Sequence, residues 1–216
     1  MKITWLGHAC FLIEATKKIL TDPFDQQLGY PDLKATADLV TVSHQHFDHN
    51  AVQLVSGKPQ VIQSAGKHSF SGIKIKGVPS FHDKAGGTQR GENIIFIIET
   101  EDIRLCHLGD LGHALEKSTA EQIGRVDVLL IPVGGYYTIN AAEAKKVTEQ
   151  INPRYAVPMH YKTSYINLPI APVEEFLKYY PAYLKETTLE ILAGKMPEKT
   201  QVMLLTLAGG ANVAGK

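Results

Sequence analysis

Apolar residues recur along the chain in short runs, and most runs have the length and composition of β-strands. Near the N-terminus KITWL, CFLIEA and KKILT predict a β-meander, with TKK as the hairpin turn between the last two. GIKIKGV alternates strictly and predicts a strand with one solvated face, whereas NIIFII and VLLI are continuously apolar and predict strands buried on both faces. Further strands are predicted at DLVTVS, QVIQS, IRLCHLG, DVLLIPV, YAVPMH, LEIL and VMLLTL.

Helical patterns are fewer. NAAEAKKVTEQI is the strongest, because Asn140 and Glu143 have the spacing of a capping box. HNAVQLVSG, KSTAEQIGR and APVEEFLKYYPAYL predict three more helices, and the small-residue tail AGGANVAGK is expected to fray. Strands outnumber helices and both are spread along the chain. This distribution predicts an α/β (α+β) protein with sheets sandwiched between helices in a single domain, residues 1–216, whose strand-end loops carry the chemistry.

Composition narrows the classes of partner. The chain has 216 residues with 22 basic and 22 acidic side chains, so it lacks the basic excess of a nucleic-acid binder. Nucleic acid is therefore not expected as a partner. No apolar run approaches membrane-spanning length, so a membrane is not expected as a partner either. The two cysteines, Cys10 and Cys106, lie in apolar runs and are expected to be buried free thiols. A reducing, cytoplasmic setting is therefore the default expectation.

One stretch, TVSHQHFDHN, concentrates titratable side chains directly after an apolar run. His44 and His46 are two residues apart, and in an extended backbone this spacing points both imidazoles to the same side. Asp48 and His49 follow where the chain turns, so they can face a second point nearby. Imidazoles with a carboxylate suit Zn²⁺, and also Mn²⁺, Fe²⁺ or Ni²⁺. The cluster predicts a site for divalent metal.

The same stretch resembles the H-x-H-x-D-H motif of the metallo-β-lactamase-fold hydrolases. The segments ITWLGHACFLIE, LTDP, HLGDLG, IPVGGYYT and VPMHY are similar to the small single-domain group of that family that includes L-ascorbate-6-phosphate lactonase. The resemblance implies a four-layer αβ/βα sandwich with two metal ions in a cleft at the edge of the sheets. Carried over residue by residue, it implies that His44 and His46 bind the first metal with a third histidine. It also implies that Asp48, His49 and His160 bind the second metal, and that Asp110 bridges both.

The third ligand of the first metal has three candidates. His82 follows a predicted strand and precedes the glycine-rich loop KAGGTQRG, and it is the preferred ligand. His68 is expected on a surface helix or loop. His107 lies an odd number of residues before Asp110, so in an extended backbone it points to the opposite face.

Three further positions have a functional and a structural interpretation. His8, in a turn between two predicted strands, is placed near the cleft by the resemblance and is assigned to the substrate pocket; Asp48 and His8 are the candidate catalytic residues. Asp22 either accepts a hydrogen bond from a metal-bound imidazole or initiates a turn before Pro23. GGYYTIN either binds an anionic group such as a phosphate or forms a glycine turn with a buried tyrosine.

Two divalent ions that share one hydroxide can lower the pKa of bound water from about 15.7 to about 7, which supplies a nucleophile at neutral pH. The expected reaction is hydrolysis of an ester, lactone, amide or phosphoester in a small, possibly phosphorylated substrate. No G-x-S-x-G or P-loop motif offers a different chemistry. The alternatives are a phosphodiesterase or nuclease, a diiron redox protein and a non-catalytic metal-binding module. A homo-oligomer is also compatible with the sequence.

Overall fold

The N-terminal meander forms as its pattern predicts: alternate side chains of its first strand enter the protein interior, and the last three residues of its third strand are all buried. The computed structural model describes residues 1–208. Within them a six-stranded sheet has the strand order β13-β1-β2-β3-β4-β5. Its strands are β1 (Lys2–Gly7), β2 (Cys10–Glu14), β3 (Lys18–Thr21), β4 (Leu39–Thr41), β5 (Gln60–Ile62) and β13 (Thr188–Glu190).

The second sheet has eight strands in the order β12-β14-β11-β10-β9-β8-β7-β6. These strands are β6 (Gly66–Phe70), β7 (Ile73–Phe81), β8 (Glu92–Thr100), β9 (Ile103–His107), β10 (Val128–Pro132), β11 (Tyr155–Met159), β12 (Leu184–Glu186) and β14 (Gln201–Leu205). The strand β10 is buried throughout and the first half of β7 alternates, as their hydrophobic patterns predict. One hydrophobic core joins buried residues of both sheets, which is the two-sheet α/β architecture expected from the sequence.

The α-helices are α1 (Lys117–Ile123), α2 (Ala141–Ile151) and α3 (Glu174–Leu177). Helix α1 packs against β7 and α2 against β10, so both cover the eight-stranded sheet. In α2 the predicted capping box is present: the Asn140 side chain accepts from the Glu143 backbone N–H, and the Glu143 carboxylate accepts from the Asn140 backbone N–H.

Two predicted helices are shorter than their patterns suggested. HNAVQLVSG forms only a 3₁₀ turn at Val52–Leu54, because a β-branched residue and a nearby glycine give this segment low helix propensity. APVEEFLKYYPAYL is α-helical only at Glu174–Leu177, and Pro181 lacks the N–H needed to extend a helix. The tail that was expected to fray lies, after Ala208, outside the described residues.

Both cysteines are buried and unpaired, as expected. Burial raises the pKa of each thiol, which keeps both sulfurs protonated and unreactive in the core. No α-helix in residues 1–208 combines the length and the apolar composition that a membrane crossing requires.

Strand direction brings the chemistry to one edge of the protein. In the first sheet β1, β3 and β4 run the same way, because β2 is antiparallel to β1 and β3 and because β3 is parallel to β4. In the second sheet β7, β9 and β11 share a direction by the same reasoning. The titratable residues singled out in the sequence follow the C-terminal ends of these strands: His8 after β1, Asp22 after β3, the H-x-H-x-D-H segment after β4, His82 after β7, Asp110 after β9 and His160 after β11.

Candidate metal centre

Three imidazoles form the first group of donors. His44, His46 and His82 each offer a nitrogen, and these atoms lie within 4.8 Å of one another. His44 and His82 are buried and His46 is exposed, so this group is open to solvent on one side. His82, the residue preferred from the sequence, thus lies beside the two histidines with which it was grouped.

The second group contains one residue more than expected. Asp48, His49 and His160 are joined by His8, and the four donor atoms again lie within 4.8 Å of one another. The Nε2 of His8 is 3.2 Å from the Asp48 Oδ2, and its ring centroid is 4.1 Å from that of His160. His8 is fully buried, so it lies inside this donor group rather than on an open wall of the substrate pocket.

Asp110 lies between the two groups. Its Oδ2 is 3.2 Å from the Nε2 of His82 and 3.1 Å from the Nε2 of His160, and its Oδ1 is 3.3 Å from the Nε2 of His49. One carboxylate therefore contacts an imidazole of the first group and two of the second.

The backbone at Asp110 is held by residues that the sequence did not single out. The Asp110 N–H donates to the Asn93 side chain, whose own amide donates to the Ser80 hydroxyl and the Leu108 carbonyl. Gly109 has a φ of 54°, and a Cβ there would lie 2.3 Å from the Asn93 Oδ1. Only glycine fits at this position, which explains the glycine in HLGDLG. A buried asparagine on a strand is the only sequence signal that could have indicated this role.

The Asp22 carboxylate contacts a histidine of the second donor group, as the first of its two interpretations predicted. Its Oδ2 is 2.9 Å from the Nδ1 of His49, and its two oxygens accept from the Ser43 N–H and hydroxyl. Burial alone would raise the pKa of the Asp22 carboxyl, but His107 and His49 nearby hold it below its usual value. This arrangement orients the His49 ring with the Nε2 toward Asp48 and Asp110.

Backbone strain is concentrated at the same place. His8, Asp22 and His160 have φ values of 51°, 37° and 51°, in the left-handed region that non-glycine residues rarely adopt. Each such residue costs about 1–3 kcal/mol and persists where its surroundings require it. The His160 N–H donates to the His8 carbonyl, so two of the strained residues hold one another.

The charge states of the imidazoles in the two donor groups differ from one another. Burial, followed by the effect of neighbouring imidazoles, lowers the pKa of His44 to about 3 and that of His8 to about 4, so both rings are neutral at pH 7. Burial opposes a proton on His49, but Asp110 and Asp48 more than compensate and raise its pKa, so His49 must give up a proton to bind metal. Neutral imidazoles and ionised carboxylates are the forms that bind metal.

Buried donor atoms that lack a hydrogen-bond partner test whether a metal ion fits this site. The Nε2 atoms of His44 and His49 and the Oδ1 of Asp110 are buried without a hydrogen-bond partner among the described residues. Each such atom costs about 1–3 kcal/mol unless something binds it. The nitrogens and the carboxylate oxygen converge, so divalent cations fit the space between them.

Two histidines considered for the first site lie elsewhere. His107 is buried; its Nε2 donates to the Ala9 carbonyl over 2.9 Å and its Nδ1 accepts from the Gly109 N–H. Neither it nor His68 belongs to a donor group in residues 1–208. The expectation of a surface helix or loop at His68 was wrong. This residue lies in β6, because the segment pairs with the alternating strand β7.

Known proteins share both the sequence and the fold. The sequence profile of the beta-lactamase superfamily domain matches residues 2–160. A UPF0173 metal-dependent hydrolase of Archaeoglobus fulgidus is 33% identical over 197 residues, which cover 76% of this chain and 84% of the relative. One of Pyrococcus horikoshii is 32% identical over 192 residues, with 76% and 85% covered.

Solved structures extend the comparison. A proposed Zn-dependent hydrolase of the metallo-beta-lactamase superfamily from Thermotoga maritima is 46% identical, with a TM-score of 0.80 over 94% of this chain and 97% of that one. Igni18, a metallo hydrolase from Ignicoccus hospitalis, is 25% identical, with a TM-score of 0.64 over 83% and 90%. The chain therefore belongs to the beta-lactamase superfamily and is a metal-dependent hydrolase of the metallo-beta-lactamase fold.

Proposed function

We propose that this protein holds two divalent metal ions, with Zn²⁺ as the first choice, and hydrolyses an ester, lactone or phosphoester bond of a small metabolite. The first ion is held by His44, His46 and His82, and the second by Asp48, His49 and His160. Asp110 is shared between them. The observation that carries this proposal is the position of Asp110, whose carboxylate contacts imidazoles of both groups.

When bound, such ions act as Lewis acids on the scissile group and lower the pKa of coordinated water to about 7. The protein's own residues set where this happens. The His44 and His82 rings are buried while the His46 ring is exposed, which leaves the first group accessible from solvent. Asp22 holds His49 from the opposite side and fixes the orientation of that ring.

Within the second group, Asp48 and His8 have different roles in this proposal. The Asp48 side chain is 16% exposed, so solvent and substrate can reach it, and it is the catalytic carboxylate in this proposal. His8 is fully buried behind it and lies 3.2 Å from its Oδ2, so His8 positions Asp48 instead of contacting substrate. We therefore propose a positioning role for His8 in place of the substrate-pocket role expected from the sequence.

The test combines metal content and hydrolysis. Metal-replete protein should bind two equivalents of metal and should hydrolyse at least one member of a panel of simple esters, lactones and phosphodiesters. Asp110→Asn should lose at least one equivalent and most of the activity, because an amide is a weak ligand. Asp102→Asn is the matched control, since Asp102 lies in a left-handed turn at the start of β9, the far end of the strand that leads to Asp110.

Full hydrolysis after complete removal of metal would refute the proposal. A single equivalent of metal at saturation, in the wild type as well as in Asp110→Asn, would refute the two-ion centre and leave a one-metal hydrolase. A change of metal oxidation state coupled to turnover would favour a redox protein.

A further inference from the structure

The loop between β7 and β8 is organised by a single carboxylate next to His82. Asp83 is buried, and its two oxygens accept four backbone N–H groups of the loop. The donors are Ala85 at 2.7 Å, Gly87 at 3.0 Å, Gln89 at 3.0 Å and Arg90 at 2.8 Å. The backbone of Arg90 is therefore positioned by the residue that directly follows a proposed metal ligand.

The side chain of Arg90 is a cation without a counter-ion. Across residues 1–208 its guanidinium has no carboxylate at ion-pair distance and no hydrogen-bond acceptor. Two of the nearby acids are engaged elsewhere: Asp83 accepts backbone N–H groups, and Glu143 pairs with Lys84 and caps α2. A third, the exposed Glu92, is not within ion-pair distance of the guanidinium. An unpaired guanidinium in a polar cleft keeps its full capacity to bind an anion.

Aromatic rings hold this guanidinium in place. Its central carbon is 5.4 Å from the ring centroid of Tyr137 and 6.0 Å from that of Tyr136. Contacts of this kind orient a cation without neutralising it. Tyr136 has a φ of 61° and is 64% exposed, so a strained residue displays its ring at the surface of the GGYYTIN turn.

Arg90 also lies where the metal cluster opens. It lines a cleft of about 340 Å³ together with His44 and His46, and the remaining walls of this cleft include Gln45, Gln63 and Glu92. On its other side it lines a smaller cleft of about 210 Å³ with Tyr137 and Thr138. The guanidinium thus stands between the proposed first metal site and the turn that the sequence analysis associated with anions.

We propose that Arg90 is the anion-recognition residue of this hydrolase. It binds a phosphate or carboxylate group of the substrate beside the bond to be cleaved, with Tyr136 and Tyr137 holding the guanidinium. The substrate class is therefore a small ester or lactone that carries an oxyanion. The planar guanidinium donates two parallel hydrogen bonds to such a group, which lysine cannot do. This proposal rests on the proposed function for the identity of the reaction, but not for the anion site itself.

The first experiment measures binding alone. Methyl phosphate and acetate are titrated calorimetrically into metal-loaded wild type, Arg90→Ala and Arg90→Lys, with metal content checked in each. For the preferred anion, Arg90→Ala should bind about ten- to a hundredfold more weakly, and Arg90→Lys should recover part of the loss. The relative affinity for the two probes assigns the site to phosphate or to carboxylate.

Lys74→Ala is the matched control. It removes one positive charge at the start of β7, at the opposite end of the strand that leads to His82, and should leave binding unchanged. Equal binding of both probes by wild type and Arg90→Ala, with metal content intact, would overturn the proposal. Equal weakening by Lys74→Ala would also overturn it, because the effect would then be one of net charge.

The second experiment uses two ester substrates that share the scissile bond and differ only in a remote phosphate. Arg90→Ala should raise KM for the phosphorylated ester about tenfold or more and leave the uncharged ester nearly unchanged. If neither ester is cleaved but phosphate binding depends on Arg90, the proposed function fails and the anion site stands. If both are cleaved and Arg90→Ala has no selective effect, the function stands and the anion site is refuted.

Discussion

At the scale of single residues, the histidines of this chain divide into those that converge on Asp110 and those that serve the core. His82 is 3.2 Å from Asp110, whereas His107 is directed away and satisfies the Ala9 carbonyl. The two residues are similar in burial, so burial alone does not distinguish a ligand from a structural hydrogen bonder. Their partners do.

This difference can be tested with two substitutions. His82→Ala should lose the metal of the first group with little change in the stability of the metal-free protein. His107→Ala should retain the metal content of the wild type but lose about 2–4 kcal/mol of stability, from a cavity and an unsatisfied carbonyl. Elemental analysis and calorimetric melting of both variants provide the measurement. Loss of metal from His107→Ala and not from His82→Ala would show that the ligand set is wrong.

Asp22 offers a test of support from outside the donor groups. Asp22→Asn presents one acceptor oxygen and one NH₂ group to three donors, the Ser43 N–H, the Ser43 hydroxyl and the His49 Nδ1. The mismatch should lower metal affinity about 10- to 100-fold, measured by competition with a chromophoric chelator. Asp127→Asn is the control, since this buried carboxylate accepts from the Arg104 N–H at the other end of β9. Equal losses in both variants would exclude a specific role for Asp22.

At the scale of elements, the strands determine where side chains go and the loops determine what they do there. Within each sheet, the ligand-bearing residues follow strands that run in the same direction, so their loops begin at the same edge of that sheet. In the loop after β7, one carboxylate of the loop itself accepts four of its backbone N–H groups. Burial disfavours the charge on Asp83, yet its four backbone N–H donors lower its pKa to about 2, so it is ionised at neutral pH.

Removing that carboxylate should loosen one loop and no other. In Asp83→Ala, amide hydrogen exchange should become at least about tenfold faster at residues 85–90, because the carboxylate that accepts their N–H groups is gone. Exchange in α2 should be unchanged and provides the internal control. Binding of methyl phosphate should weaken together with the loop, because Arg90 is no longer positioned. Unchanged protection at residues 85–90 would contradict this account of the loop.

At the scale of the whole molecule, the core and the metal centre are separate sources of stability. Apolar residues of both sheets form one hydrophobic core, whereas the donors lie at the edge. A chain of this length buries enough apolar surface to fold without a structural metal, unlike a zinc finger. Metal should therefore add to stability but not create the fold.

Chelation should abolish hydrolysis while the far-ultraviolet circular dichroism remains near that of the metal-loaded protein. The melting temperature should fall by roughly 10 °C if free metal had been about 1,000 times its Kd, since that concentration contributes about 4 kcal/mol. Dichroism and activity are followed together through a chelator titration. Simultaneous collapse of both signals would show that the metal is part of the folding core.

Much of the local structure of this protein can be predicted from residues that are close together in its sequence. The H-x-H-x-D-H spacing, the strand patterns and the capping box of Asn140 and Glu143 follow from neighbours within a few residues, and the two-sheet fold and the capping box are confirmed. The lengths of two helices were overestimated because their hydrophobic periodicity was considered without their helix propensity. Periodicity indicates that a helix is possible, whereas weak propensity and Pro181 decide how far it extends.

Only the tertiary structure decided which distant residues meet. His8, His82, Asp110 and His160 are separated by tens of residues and come together because strand order and direction place their loops at one edge. The absence of a counter-ion for Arg90 within residues 1–208 is likewise a property of the packed loops: Asp83 and Glu143 are engaged with other donors, and Glu92 does not reach ion-pair distance. A sequence lists possible partners, but a charge is free or paired only when all groups within hydrogen-bond distance are known.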